Sequence, residues 1–147
     1  MGDRIIVTAT DGRKYTPSFY GHWCGLRAIK VMNDLVREDK SNDINNLMCN
    51  FVVTVMGGET QQYSYYLHNL GELHRIADGD NYEWLINTAT RTWTTTDPEF
   101  RDMTLTLDEA DDHVRKTRPC LYRECKCSDY GKNGCTCAFL ESQNNKK

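Results

Sequence analysis

Seven cysteines among 147 residues are the side chains here best suited to chemistry, and they fall into two groups. Cys24 stands apart in the stretch Gly21-His22-Trp23-Cys24-Gly25-Leu26-Arg27-Ala28-Ile29. From Leu26 onward the apolar residues Ile29, Met32 and Leu35/Val36 recur every three or four positions, which predicts an amphipathic helix from about Cys24 to Arg37. A thiol at the start of that helix would meet unpaired backbone N–H groups and the positive end of the helix dipole, both of which favour thiolate. Gly21 and Gly25 would then leave room for a substrate backbone. Taken alone, a single cysteine in a helical segment is more often a small buried apolar residue than a nucleophile.

A thiol nucleophile needs a base, and the candidates are His22, His68, His74 and His113. His22 is too close in sequence to fold back easily, and His113 falls in an acidic helical segment. His74 is preferred, because Leu73-His74-Arg75-Ile76 reads as a short strand in a sheet facing the Cys24 helix; His68 is the reserve. Thr16 or Asn87 would orient the imidazole, and spacing does not choose between them.

The second group is Cys120, Cys125, Cys127, Cys135 and Cys137, spaced C-x4-C-x-C-x7-C-x-C with Gly131 and Gly134 between the pairs. Two C-x-C pairs across a glycine-containing loop can supply the four soft ligands of a tetrahedral zinc, so four of these five cysteines are expected to hold a structural zinc in a segment spanning about residues 118–140. Basic residues accompany them, but Tyr122 and Tyr130 are the only nearby aromatic platforms and the net charge is −3, so nucleic acid is not the expected partner. Close cysteine pairs without a secretory pattern point to metal rather than disulfides, and to a reducing compartment.

The positioning elements follow from local patterns. Residues 4–16 read as a hairpin: Ile5-Ile6-Val7, a turn at Asp11-Gly12, and a return through Lys14-Tyr15. Pro17 opens a loop from Tyr15 to Trp23 that delivers Cys24, and a short second helix is expected over Asp43 to Met48. Phe51-Val52-Val53-Thr54-Val55 is predicted as a strand, as are Tyr63 to Leu67, Tyr82 to Asn87 and Arg91 to Thr96. Thr106 and Glu109 have capping-box spacing, starting a helix that runs to Lys116 before Pro119. The sum is one α+β domain over residues 1–147, with a mostly antiparallel sheet and no apolar run long enough to span a membrane.

Cys24-Gly25-Leu26-Arg27-Ala28-Ile29, preceded by Tyr15-Thr16-Pro17 and Gly21, resembles the nucleophile segment of viral ovarian-tumour-like (OTU) papain-like cysteine proteases, most closely the second papain-like protease of arteriviruses. Phe51 to Gly58 is similar to that family's strand ending in Gly-Gly, and His74 follows sixteen residues on, a spacing similar to that of the family's catalytic histidine. Thr16 stands in place of the family's loop asparagine. The resemblance implies a compact OTU-like fold with an integrated zinc finger, Cys24 as nucleophile and His74 as base. It further implies a thiol protease of the host cell cytoplasm that cleaves a viral polyprotein junction. Such an enzyme would also remove ubiquitin, or a ubiquitin-like modifier, from host proteins and so suppress innate immunity. The alternative is a non-catalytic zinc-binding interaction module for a host protein or RNA.

Overall fold

The structure, a computed structural model, describes residues 3–39, 42–57 and 65–122. Its centre is β1 (Ile5–Thr10), buried along its whole length. A strand covered on both faces needs a nearly continuous apolar run, and Ile-Ile-Val-Thr-Ala-Thr supplies one. The expected turn follows: the Asp11 carboxylate accepts from the Arg13 and Lys14 N–H groups at 2.8 and 3.0 Å, and Gly12 takes φ +90°. The chain returns through an isolated bridge between Thr10 and Tyr15 into β2 (Ser18–Gly21). Much of the expected Tyr15–Trp23 loop is therefore a buried strand, antiparallel to β1.

Helix α1 (Arg27–Glu38) begins three residues after Cys24, with Leu26 at its N-cap and no side-chain cap. Helix α2 (Ile44–Met56) corrects both the short helix over residues 43–48 and the Phe51–Val55 strand. Asp43 caps its start, Gly57 closes its end in the left-handed conformation at φ +64°, and Ile44, Leu47, Met48, Phe51 and Val55 are buried at helical spacing. The β-branched run is helical because this capped, periodic frame buries one face; Phe51 packs edge-on against Phe19 with centroids 5.0 Å apart.

β3 (Tyr65–His68) precedes a chain of turns, bonded Glu72→Asn69, His74→Gly71, Ile76→Leu73 and Asp78→Arg75, where a strand over residues 73–76 was expected. The two strands expected over residues 82–87 and 91–96 are present as β4 (Glu83–Asn87) and β5 (Thr92–Thr95), which pair as a hairpin. A short 3-10 helix (Pro98–Phe100) leads to β6 (Leu105–Thr106) and α3 (Leu107–Thr117). The capping box at the start of α3 is present: Glu109 N–H donates to Thr106 Oγ1 at 3.1 Å, and Thr106 N–H to Glu109 Oε1 at 3.0 Å.

The six strands lie in the order β3-β2-β1-β4-β5-β6. β1 and β4 run parallel, pairing Ile6 with Glu83 through Thr10 with Asn87, and the other four pairs are antiparallel, so the sheet is mixed but mostly antiparallel, as expected. Ile5, Val7, Phe19, Trp84, Ile86 and Trp93 form the main core with the three helices on one face. On the other face, Leu73 and Ala77 of the turn segment cover Ile6 and Tyr20. This is an α+β architecture, and none of the described helices is long and apolar enough to cross a membrane.

Candidate functional site

Cys24 lies on the helix-bearing face, fully buried at 0% exposure among Ile5, Val7 and Phe19. Its Sγ presses on Gly21: a Cβ added there would stand 2.3 Å from the sulfur. Gly25 takes φ +57° and inserts a left-handed residue between the thiol and α1, so the cysteine does not occupy the helix N-terminus. Burial pushes the Cys24 thiol up to about 12, and Asp3 adds to the rise; Arg27 and Arg118 pull the other way without offsetting it.

Asp3 closes this region. Its backbone carbonyl accepts from Gly25 N–H at 3.0 Å, its carboxylate accepts from Asn81 Nδ2 at 2.6 Å, and the Arg118 guanidinium pairs with it at 2.5 Å. A Cβ on Gly25 would meet that carboxylate at 2.0 Å. The two glycines flanking Cys24 thus accommodate the thiol and Asp3, where sequence reading expected them to admit a substrate backbone.

His74 lies on the opposite side of the sheet. Its side chain is 66% exposed and its Nδ1 sits 3.3 Å from Glu83 Oε2. Side chains alternate across a strand, and Trp84 and Ile86 belong to the helix-side core, so Glu83 and its histidine face away from Cys24. The turns carrying Leu73 and Ala77 pack on that same far face. The structure does not bring Cys24 and His74 together.

The other histidines do not replace it. His22 Nδ1 hydrogen-bonds Tyr20 OH at 2.7 Å, and His68 Nδ1 lies 3.2 Å from Glu72. His113 packs against Trp84 and Phe100, where burial holds its pKa below the ordinary value. Thr16 is buried, accepting from Ala9 N–H at 3.1 Å and donating to Pro17 O at 3.0 Å. The Asn87 side chain caps its own turn, accepting from Ala89 and Thr90 N–H at 3.0 and 3.2 Å. Neither of the two expected orienting residues contacts His74.

Of the five tail cysteines, Cys120 is described: it is buried in a second 3-10 helix (Pro119–Tyr122) and is disulfide-bonded. A sulfur in that state is not a zinc ligand, and because a disulfide consumes two cysteines while Cys24 and Cys49 are free, four zinc thiolates are not left among the five. Cys125, Cys127, Cys135 and Cys137 lie outside the described residues. Among the described residues no group of three or more His, Cys, Asp or Glu side chains could hold a metal ion, so the zinc expectation rests on the tail's spacing.

Sequence reading missed the polar network that fixes this tail's point of departure. Asn33, fully buried in α1, accepts from Trp93 Nε1 at 2.7 Å and donates to Leu107 O and Asp111 Oδ1 at 3.0 Å each. Tyr122 OH donates to the same Asp111 oxygen at 2.8 Å, and Arg37 pairs with Asp111 Oδ2 at 2.6 Å. The one available signal was an asparagine beside the apolar stripe of α1.

At the other end of the sheet, β3 pairs with β2 on one side and is an outer strand among the described residues. Tyr66, Leu67 and the nearby Leu70 are exposed at 41%, 48% and 55%. Tyr66 stacks on Tyr20 at 4.8 Å, which holds its ring in place on the surface. No protein-family model matches this chain, and no curated protein or solved structure matches it significantly.

Proposed function

We propose that this chain is a non-catalytic interaction module that binds an extended segment of a protein partner along the outer edge of β3. The observation carrying this reading is the separation of the thiol from any base. Cys24 is buried with its pKa raised, and His74 pairs with Glu83 across the sheet. An outer strand offers a row of backbone N–H and C=O groups to an incoming strand, and Tyr66 and Leu67 offer it apolar contact. The net charge of −3 favours a protein partner over RNA.

Selection of extended peptides from a displayed library tests this reading. Leu67→Lys places a charge on an exposed edge position, so the fold should survive while selected peptides lose about tenfold or more in affinity. Peptides that bind this variant as well as the parent would sink the β3 assignment. The alternative, a viral OTU-like protease acting on ubiquitin and a polyprotein junction in the host cytoplasm, requires Cys24 to be uncovered and a histidine to reach the helix-bearing face. Incubation with ubiquitin bearing a thiol-reactive C-terminus separates the two: an adduct on Cys24 would refute the non-catalytic reading.

A further inference from the structure

His74, left without a thiol to serve, lines a cavity of about 410 Å³ where the turn segment, the start of β4 and the Pro98–Phe100 helix meet. Arg75 and Arg101 line it too, so two arginines and a histidine border one space. Neither arginine is well neutralised by the protein. Arg75 reaches Asp78 only at 3.8 Å, and Arg101 forms no ion pair among the described residues. His74 is held through Nδ1 by Glu83, which leaves Nε2 available to a ligand.

The backbone here is also unusual. Arg75 and Tyr82 both adopt left-handed conformations, at φ +68° and +67°, which side-chain-bearing residues rarely occupy. Such residues cluster where a binding surface is held in a fixed shape. Asp78 and Glu83 line the cavity as well, Glu83 beside His74 and Asp78 3.8 Å from Arg75, so Arg101 is the lining cation left without an ion pair among the described residues. The planar guanidinium fork suits the paired oxygens of a phosphate group. Tyr82 and Pro98 supply a less polar wall beside the cations, and the volume exceeds what a bare phosphate fills.

We infer that this cavity is a binding site for the phosphate group of a small phosphomonoester, held by Arg75, Arg101 and His74. It lies on the far face from Cys24 and does not depend on the β3 edge.

Calorimetric titration of the full chain with phenyl phosphate, at constant ionic strength, tests the assignment, with inorganic phosphate and acetate as comparison ligands. Saturable binding of phenyl phosphate is expected, tighter than that of inorganic phosphate and much tighter than that of acetate. Arg101→Gln should weaken it about tenfold or more. The ligand-free melting temperature should be unchanged, because Arg101 is exposed and makes no side-chain bond among the described residues. Arg13→Gln, at the distant first turn, should bind as the parent does. Absence of saturable binding would overturn the site, as would equal losses in the Arg101 and Arg13 variants, which mean attraction to surface charge alone. Inorganic phosphate binding as tightly as phenyl phosphate would overturn the monoester assignment.

Discussion

The burial of Cys24 makes a quantitative prediction about its reactivity. An ordinary thiol at 9.0 is a few per cent thiolate near neutral pH, and a thiol pushed up to about 12 has about a thousandfold less. A more basic thiolate is also a better nucleophile, which returns roughly twentyfold to thirtyfold. Chemistry alone therefore slows alkylation by roughly fiftyfold. Zero exposure means that the sulfur reacts only after the site opens, and since an opened thiol regains its ordinary pKa the opening cost replaces this factor; an opening cost of about 4 kcal/mol slows the reaction about a thousandfold. Cys49, exposed on α2, is an internal reference in the same tube. Native protein is treated with iodoacetamide at about pH 7.5, quenched at intervals and digested, and the Cys24 and Cys49 peptides are followed by mass spectrometry. Cys24 should react at least about a thousandfold more slowly, with the difference collapsing in guanidinium. A Cys24 rate within about tenfold of Cys49 in native protein would refute the burial reasoning and revive the nucleophile.

Four further outcomes follow from described contacts. Asn33→Ala strands Trp93 Nε1 and unseats Asp111, and should cost about 2–4 kcal/mol in a denaturant titration; a loss below about 1 kcal/mol would mean water replaces the amide. Gly25→Ala forces φ +57° on a side-chain-bearing residue and drives a methyl into the Asp3 carboxylate, for a loss of about 2–3 kcal/mol that shrinks when paired with Asp3→Ala. Val53→Ala, 67% exposed in α2, replaces a β-branched residue by the best helix former and should stabilise the protein by about 0.5 kcal/mol. For His113, partial burial holds the folded-state pKa of the ring below the ordinary 6.5, so its contribution is present above pH 6.5 and is lost as pH falls through the lower folded-state value. His113→Gln should flatten that acid limb in melting curves measured against pH, and an unchanged limb would assign it to other groups.

Elements specified by their own residues were legible in the sequence. The Asp11-Gly12 turn, the β4–β5 hairpin and the Thr106/Glu109 capping box each depend on side chains bonding within a few positions. Elements decided by distant partners were not. Phe51 to Val55 has the composition of a strand, and its helical state depends on Asp43, Gly57 and burial against Phe19. Cys24 reads as the first residue of α1 because apolar spacing begins at Leu26; what displaces it is the left-handed Gly25, held under Asp3 from the start of the chain. The sixteen-residue step from Gly58 to His74 says nothing about which face of the sheet the histidine meets. That is set by the pairing of Ile6 with Glu83, which aims Glu83 and its ion pair away from the helices. The zinc expectation falls mostly on cysteines outside the described residues.

The parallel pairing of β1 with β4 also sets the order in which this chain can fold. β1 finds β2 at once, through a local turn, but its other edge must wait for Glu83–Asn87, after two helices and β3 have been made. Closing that long loop before any reward from the pairing is a slow step, so the folding rate should track β1–β4 docking rather than formation of the helices. During synthesis Ile-Ile-Val-Thr-Ala-Thr, six uncharged residues, thus waits with one bare edge. A nascent chain stalled before Glu83 would present that edge to its neighbours, and chaperone binding should be greatest over that interval of synthesis.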